Sequence, residues 1–382
     1  MSFSQYPQNP VIGQEYTVGT MVVTWDGTKF VSVVEQAPSL DQINTALAEL
    51  DDGLTKLNSQ ELLAQINRKS TLDLRFNENQ HRVYEPFGLT DKLLTDAITT
   101  TRASTATYNS PFGIATAAAT IPRIEYEPET GECLGLLCEE QRTNLLLNSE
   151  TPATQSATVT AQAYTLSFYG VGSVQLSGVA ANILTGADEG RVSITFTPTA
   201  GVLTVTPSGG PVKWQLEAGS FPTSYIKTEG SQVTRAVDFS TVSINPAIIN
   251  RTIFVEIPNV AAGQAILTVN RGGATSVPRI GLSAGNFQLI PDPGGVLINH
   301  TLNLADGNRH KIAISIKPGT YRLAVDGVIV VSSASTALIS ALTTITLGRL
   351  AWSSTQGNVL FNRAFELPRA LSEDDLIELT RL

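Results

Sequence analysis

The chain has 382 residues, with 25 lysine and arginine residues against 34 acidic ones and a formal net charge of −9. No block of basic residues runs along it, so a nucleic-acid partner is not expected, because phosphate binding needs clustered positive charge. Charged residues make up only 15% of the chain, below the roughly 25% of ordinary globular proteins. Together with frequent Gly and Pro punctuation, this favours β-sandwich domains over helical ones.

The first sixteen residues, MSFSQYPQNPVIGQEY, contain neither a basic n-region nor an apolar h-region. Nowhere do 18 apolar residues follow one another, as a membrane-spanning helix would require. We therefore expect a soluble protein that is not exported by a signal peptide and does not insert into a membrane.

Residues 1–36 contain two runs in which apolar and polar residues alternate, Met21–Trp25 and Lys29–Val34, separated by Asp26-Gly27. An Asp-Gly pair between alternating runs predicts a β-hairpin. Trp25 and Phe30 flank the turn, which favours cross-strand aromatic packing over a ligand platform.

From residue 37 to residue 70 the hydrophobic period changes to that of a helix. Apolar residues are spaced three and four apart, beginning after the plausible N-cap Ser39. The stripe comprises Leu40, Ile43, Leu47, Leu50, Leu54 and Leu57. These residues alternate between heptad positions a and d, and leucine at a with leucine or isoleucine at d does not select a two-stranded coil. We expect a trimeric coiled coil, with a short helix packed on its own domain as the alternative.

The rest of the chain predicts one irregular segment and two β-rich blocks. Pro and Gly break residues 71–143 into short extended pieces, which we interpret as a segment that braces neighbouring subunits. Residues 144–236 and 237–382 contain runs such as YTLSFYG and HKIAISIKPG, with period-two alternation and turn residues between them. Each block predicts an antiparallel, jelly-roll-like β-sandwich. At the end of the chain, Ser372 and Asp375 predict a capped helix that covers the last sandwich.

The sequence predicts no catalytic residue, no bound metal and no cofactor. Cys133 and Cys138 lack partners at metal-ligand spacing, since the three histidines are scattered. They are interpreted as small apolar side chains of a packed segment. A disulfide between them is the alternative, although a reducing cytosol would keep both thiols reduced. The sequence contains no nucleophile elbow and no phosphate-binding loop. The acids between Glu125 and Glu140 are interpreted as a solvated face rather than an acid and base pair.

Several short segments in order resemble a pattern of virion fibre and tail proteins of tailed bacteriophages. They are TRASTATY at 101–108, PRIEY at 122–126, TGE at 130–132, GLL at 135–137 and EQRTNLL at 140–146. The following block is similar to a carbohydrate-binding module, and the last block looks like a concanavalin-like or laminin-G-like sandwich. Residues 9–31 are similar to short attachment modules of phage tail proteins.

The resemblance implies a non-enzymatic receptor-binding fibre, made in the host cytoplasm and carried on the virion. Its N-terminus would bind other virion proteins, its helices would form a homotrimer, and its sandwiches would bind host surface polysaccharide or lipopolysaccharide. The alternative is a purely structural virion component, such as a baseplate, collar or head fibre. A polysaccharide-cleaving tailspike ranks below both, because the sequence lacks the regular coils of a β-helix.

For a shallow glycan-binding surface, residue type and expected loop positions favour Trp352, Tyr321 and Arg349. Core packing or salt bridging is the competing expectation for each of them. Trp214 alternates in phase with Leu216 and is therefore assigned to the core of the first sandwich.

Overall fold

The molecule consists mainly of antiparallel β-sheets, as the composition predicts. The chain divides into two compact units, Met1–Glu61 and Leu62–Leu382. The computed structural model describes residues 9–18, 21–32, 41, 44–50, 60–62, 70–85, 88–272, 278–291, 295–335, 339, 341–350 and 356–381.

The first unit contains a three-stranded antiparallel sheet of β1 (Glu15–Val18), β2 (Met21–Trp25) and β3 (Phe30–Ser32). The predicted hairpin between β2 and β3 is confirmed. Trp25 lies opposite Phe30 with their ring centroids 4.9 Å apart. At the turn, the Asp26 carboxylate accepts hydrogen bonds from the backbone N–H groups of Lys29 at 2.9 Å and Thr28 at 2.8 Å. These bonds lower the pKa of Asp26, because they favour its charged form.

Part of the predicted coiled-coil stripe lies in a described helix, residues 44–50. Leu47 is 58% exposed and Leu50 is 71% exposed in the single chain. Leu40, Ile43, Leu54 and Leu57 lie outside the described residues. The homotrimer therefore stays a prediction, with two of its contact residues on a solvent-facing helix surface.

In the second unit, the described residues between 70 and 144 form nine short strands, a 3₁₀ turn at Phe76–Glu78 and helix α1 (Leu94–Ala97). The strands are β4 (Leu72–Arg75), β5 (Gln80–Glu85), β6 (Gly88–Asp91), β7 (Thr99–Thr101), β8 (Ala106–Ser110), β9 (Gly113–Ala117), β10 (Arg123–Tyr126), β11 (Cys133–Cys138) and β12 (Arg142–Asn144).

The next residues form a small β-sandwich. Its strands are β13 (Gln155–Val159), β14 (Tyr164–Tyr169), β15 (Gly172–Gly178), β16 (Ile183–Gly186), β17 (Arg191–Phe196), β18 (Gly201–Gly209) and β19 (Val212–Ala218). They form a four-stranded sheet, β13-β18-β15-β16, and a three-stranded sheet, β17-β14-β19. Phe168 and Trp214 from one sheet and Leu203 from the other share one core and are each 0% exposed. The assignment of Trp214 to the core is confirmed.

The remaining strands belong mainly to a larger sandwich. They are β20 (Val233–Arg235), β21 (Phe239–Ser243), β22 (Arg251–Ile257), β23 (Ala265–Asn270), β24 (Arg279–Ser283), β25 (Asn286–Ile290), β26 (Ile298–Thr301), β27 (His310–Lys317), β28 (Gly319–Val325), β29 (Val328–Ser335), β30 (Thr344–Leu347), β31 (Val359–Phe361) and β32 (Arg363–Leu367). One sheet has the order β26-β25-β24-β23-β30-β21-β7, and the other has the order β29-β28-β27-β22-β32-β4-β5-β6.

The larger sandwich corrects the predicted domain boundaries. Residues 71–143 were expected to be an extended bracing segment, but β4, β5 and β6 complete one sheet of the sandwich and β7 is an edge strand of the other. Leu74 and Phe76 are 0% exposed in its core. Strand β4 pairs with β32 near the other end of the chain, a long-range pairing that local periodicity does not encode.

The small sandwich is therefore inserted into the larger one. The strands on either side of it, β12 and β20, pair with each other, and Arg142 lies opposite Arg235. The two ends of the insertion thus lie side by side, the arrangement that lets a complete domain be placed within another.

The C-terminal helix α2 (Glu373–Thr380) covers the outer face of the eight-stranded sheet. The Ser372 hydroxyl accepts a hydrogen bond from the Asp375 backbone N–H at 3.1 Å, which confirms the predicted cap. Leu376 and Leu379 pack on a cluster that includes Phe254. The predicted lid on the last sandwich is therefore confirmed.

Two glycines of the fibre-like pattern provide a matched pair for a stability test. Gly135 has φ +125°, and a Cβ there would lie 2.2 Å from the Phe361 carbonyl oxygen on β31. Gly131 has φ +70° and open space around it. We expect Gly135→Ala to lower the free energy of unfolding by about 3 kcal/mol or more, through strain and a backbone clash, and Gly131→Ala by about 1 kcal/mol. Guanidinium unfolding checks this, and equal losses would contradict it.

Candidate functional site

The segments that carry the fibre-like pattern meet in a buried network of charges beside the small sandwich. Arg102 contacts Asp238 at 2.6 Å, and Arg123 contacts Glu139 at 2.8 Å as well as Asp238. Arg235 contacts Glu139 at 2.8 Å. All five side chains are at most 3% exposed. These ion pairs join the segment before the small sandwich, residues 102–139, to residues 235–238, which follow the small sandwich in the chain.

Glu139 is the centre of this network. Burial by itself would raise the pKa of Glu139, but Arg235 and Arg123 outweigh that effect and, with hydrogen bonds from Ser224, lower it to about 2. The Ser224 backbone N–H donates to Glu139 at 2.7 Å and its hydroxyl at 2.6 Å. The expectation of a solvated acidic face is therefore wrong for Glu139, whereas Glu129 and Glu132 are exposed as predicted.

Asn144, in the RTN part of the pattern, fixes the start of the small sandwich. Its side-chain amide donates to the carbonyl oxygens of Trp214 at 3.0 Å and Ile226 at 2.9 Å. Its Oδ1 accepts from the backbone N–H groups of Leu146 and Leu216, both at 3.1 Å. The buried amide therefore makes all four hydrogen bonds available to it, which explains why asparagine suits this position.

A cleft of about 250 Å³ lies next to the network. Its walls come from the β8–β9 hairpin, strands β10 and β11, two strands of the small sandwich and residues 222–225. The side chains of interest in its lining are Tyr108, Asn109, Glu125, Tyr126, Tyr169 and Arg191. Each of these six is half-buried, so solvent reaches three phenol rings, a carboxylate, an amide and a guanidinium in the cleft. The half-buried Glu127 and the buried Tyr225 and Glu139 also line it.

Glu125 is the titratable group inside this cleft. Asn109 donates to its carboxylate twice, from the backbone N–H at 3.1 Å and from the side-chain amide at 2.6 Å. Burial raises the pKa of Glu125 to about 7, and the negative charge of Glu139 adds to that shift, while Asn109 and Arg123 oppose it. The carboxyl group thus changes its charge near neutral pH, which ordinary glutamates do not do.

Arg191 and Tyr169 of the small sandwich also line the cleft. The Arg191 guanidinium lies 5.6 Å from the centroid of the Tyr169 ring. It also donates to the Thr223 carbonyl oxygen at 2.6 Å and to the Ser167 hydroxyl at 2.8 Å. These contacts hold the ring and the guanidinium in fixed positions along one side of the cleft.

Of the three residues predicted for a glycan surface, the two that the structure describes, Tyr321 and Arg349, do not line this cleft. Tyr321 is 1% exposed in the core of the larger sandwich, so its prediction as a surface contact is wrong. On β28 its side chain points between the two sheets, in phase with the buried Leu323. The Arg349 guanidinium is half-buried and stacks 5.2 Å from the Phe239 ring centroid. Trp352 lies outside the described residues.

The two cysteines are free thiols. Cys138 is 1% exposed in the core of the larger sandwich, as its interpretation as a packed apolar side chain predicts, and burial raises the pKa of its thiol. Cys133 is half-buried and donates to the Phe76 carbonyl oxygen at 3.3 Å.

Across the described ranges, no three His, Cys, Asp or Glu side chains are grouped so that they could hold a metal ion. No helix in those ranges is both long and apolar enough to cross a bilayer.

The cleft residues were missed because sequence reasoning looked for sugar contacts on the last sandwich. The signal was present: RASTATY and PRIEY each end in a tyrosine, and both tyrosines line the cleft. Tyr169 and Arg191 gave no such signal, because pairing between β14 and β17 is what brings them together.

No family model matches the sequence, and no curated protein matches it. Among solved structures, the chain is similar to the carbohydrate-binding module CBM40 of the Ruminococcus gnavus IT-sialidase bound to α2,3-sialyllactose, with 17% identity, 36% of this chain and 85% of that chain covered, and a TM-score of 0.30. It is also similar to the binding domain of Paraclostridial Mosquitocidal Protein 1, with 15% identity and a TM-score of 0.29. That match covers 37% of this chain and 40% of the other. The chain is similar as well to the receptor-binding domain of botulinum neurotoxin type G, with 12% identity and a TM-score of 0.29. That match covers 37% of this chain and 38% of the other. Because these TM-scores lie below 0.5, we draw no functional conclusion from them.

Proposed function

We propose that this protein is a non-enzymatic fibre component of a tailed-phage virion that attaches the particle to glycan on the host surface. The observation that carries the proposal is the cleft beside the small sandwich. The segments that resemble virion fibre proteins provide two of its tyrosines and its carboxylate, so the fibre-like pattern and the candidate binding site coincide.

The composition of the cleft suits a sugar. Sugar rings combine apolar C–H faces with hydroxyl groups, and binding sites for small polar ligands pair aromatic walls with a few fixed polar groups. Tyr108, Tyr126 and Tyr169 provide rings, while Asn109 and Glu125 provide hydrogen-bonding groups held by one another at 2.6 Å and 3.1 Å. A half-open cleft of this kind binds a single sugar weakly.

Assembly would compensate for weak single-site binding. Three copies joined by their helices present three clefts, and linked sites raise the overall affinity without any new contact. The N-terminal sheet would bind other virion proteins, and the host surface polysaccharide or lipopolysaccharide would be the receptor.

Binding of the full-length protein to a glycan array and to host envelope preparations tests the function. We expect binding to a defined set of glycans without release of reducing ends. Absence of binding to every glycan and every envelope preparation would instead favour a purely structural baseplate, collar or head-fibre component. Release of reducing ends would indicate a polysaccharide-cleaving spike.

The trimer is tested by replacing Leu47 and Leu50 together with asparagine. Both side chains are solvent-exposed in the single chain, so the change leaves the fold of one copy intact but puts polar amides into the proposed helix seam. We expect the sedimentation mass to fall from about three chains to one at micromolar concentration. Substitution of Glu49, which lies on the same helix outside the stripe, by glutamine should leave the mass unchanged. A native protein that sediments as a monomer would contradict the proposal.

A further inference from the structure

We propose that the cleft selects an uncharged sugar, whose neighbouring hydroxyl groups donate to the two carboxylate oxygens of Glu125, and that it rejects acidic sugars. This inference rests on the glycan-binding function proposed above and names the ligand class of the same site.

The first step is the free hydrogen-bonding capacity of Glu125. Its Oε2 accepts from the Asn109 backbone N–H at 3.1 Å and its Oε1 from the Asn109 side-chain amide at 2.6 Å. A carboxylate oxygen has two acceptor positions, so each oxygen retains one for a ligand. Because Asn109 holds the carboxylate in place, two adjacent hydroxyl groups would meet acceptors that are already oriented, which reduces the entropic cost of binding.

The second step is the charge around Glu125. The titratable or charged groups that line the cleft with Glu125, or act on its charge, are Arg123 on its own strand, Tyr108, Tyr126, Glu127, Glu139, Tyr169, Arg191 and Tyr225. Arg123 is paired with Glu139 and Asp238, whereas Arg191 keeps its positive charge, because its partners at Thr223 and Ser167 are neutral. When Glu125 is ionised, the Glu125 and Glu127 carboxylates outnumber this single guanidinium. An anionic sugar would then meet net like charge in a partly desolvated site, which opposes binding.

The third step is protonation. Hydroxyl donors favour the ionised carboxylate, because a protonated carboxyl has lost an acceptor position. Burial raises the pKa of Glu125 to about 7. The ionised fraction of such a group falls from about nine-tenths at pH 8 to about one-tenth at pH 6. Binding should therefore weaken as the pH falls through 7.

The test compares the full-length protein with Glu125→Gln and the matched control Glu129→Gln, an exposed residue in the turn after β10 and outside the cleft. The probes are glucose, galactose and N-acetylglucosamine oligosaccharides, with sialyllactose and oligogalacturonate as acidic counterparts, at pH 6, 7 and 8. We expect the native protein and the control to bind neutral probes, roughly tenfold more weakly at pH 6 than at pH 8. We expect Glu125→Gln to bind roughly tenfold more weakly at pH 8 and to lose the pH dependence.

Three outcomes separate the claims. If the native protein binds none of these probes, and no glycan on the array, the proposed function and this inference both fail. If it binds but Glu125→Gln behaves like the control, or if acidic probes bind better than neutral ones, only the inference fails. Should Glu125→Gln lower the melting temperature markedly, Glu125→Asp keeps the charge and shortens the side chain. Weaker binding with retained pH dependence would then support the inference, and unchanged binding would overturn it.

Discussion

Replacing Glu139 with alanine is expected to lower the free energy of unfolding by about 3–5 kcal/mol, the range for removing one partner of a buried ion pair. The change leaves Arg235 without its carboxylate and removes one of the two carboxylates that contact Arg123. Both guanidinium groups are at most 1% exposed. They cannot reach solvent unless the junction opens, that is, the contact between the two sandwiches where the small one is inserted. The free energy of unfolding is measured by denaturation with guanidinium chloride, with circular dichroism as the signal.

Glu229→Ala provides the control for this substitution. Glu229 pairs with Lys227 at 3.8 Å, and the two side chains are 84% and 58% exposed. A pair of this kind contributes about 0–1 kcal/mol to the free energy of unfolding, because water solvates each charged side chain nearly as well as its ion-pair partner does. Equal effects of the two substitutions would mean that the buried network does not hold the junction together.

Replacing Trp214 with alanine should also lower the free energy of unfolding by about 3–5 kcal/mol, the range for deleting a large aromatic side chain from a core. Trp214 is 0% exposed, and its indole N–H donates to the Leu147 carbonyl oxygen at 3.1 Å. The substitution thus creates a cavity and leaves a carbonyl oxygen without this donor. Circular dichroism is the appropriate readout, because the change removes a fluorophore.

Two further substitutions show where the Trp214 effect comes from. Trp214→Phe keeps much of the packing and loses the hydrogen bond, so we expect a smaller loss than for alanine. Ile183→Ala truncates a side chain of the same sandwich that is 63% exposed, and we expect a change within about 0.5 kcal/mol. A Trp214→Ala protein as stable as Ile183→Ala would show that the small sandwich does not depend on this core residue.

The buried network also gives a physical account of the fibre-like pattern. Arg102 and Arg123 lie in two of its short pieces and Glu139 directly precedes another, and the three meet at the junction of the two sandwiches. Asn144 and Gly135 have equally specific roles. The Asn144 side-chain amide makes all of its hydrogen bonds, and the backbone of β31 lies so close to Gly135 that no side chain fits there. In this molecule the pattern therefore encodes how one domain is inserted into another.

Local patterns predicted several features that depend on neighbouring residues. Alternation and an Asp-Gly turn predicted the β2–β3 hairpin. Ser372 predicted the cap of α2, and the phase of Trp214 predicted its burial. These predictions succeeded because turn chemistry, capping and strand alternation act over a few residues.

The sequence by itself thus determined the mainly β class, the β2–β3 turn, the cap of α2 and the burial of Trp214. Only the tertiary structure decided that β4 to β7 complete the larger sandwich, that Tyr321 is buried, and that Glu125 shares a cleft with Tyr169 and Arg191. Each of these depends on pairing between strands far apart in the chain, and strand periodicity does not specify which distant partner a strand will choose.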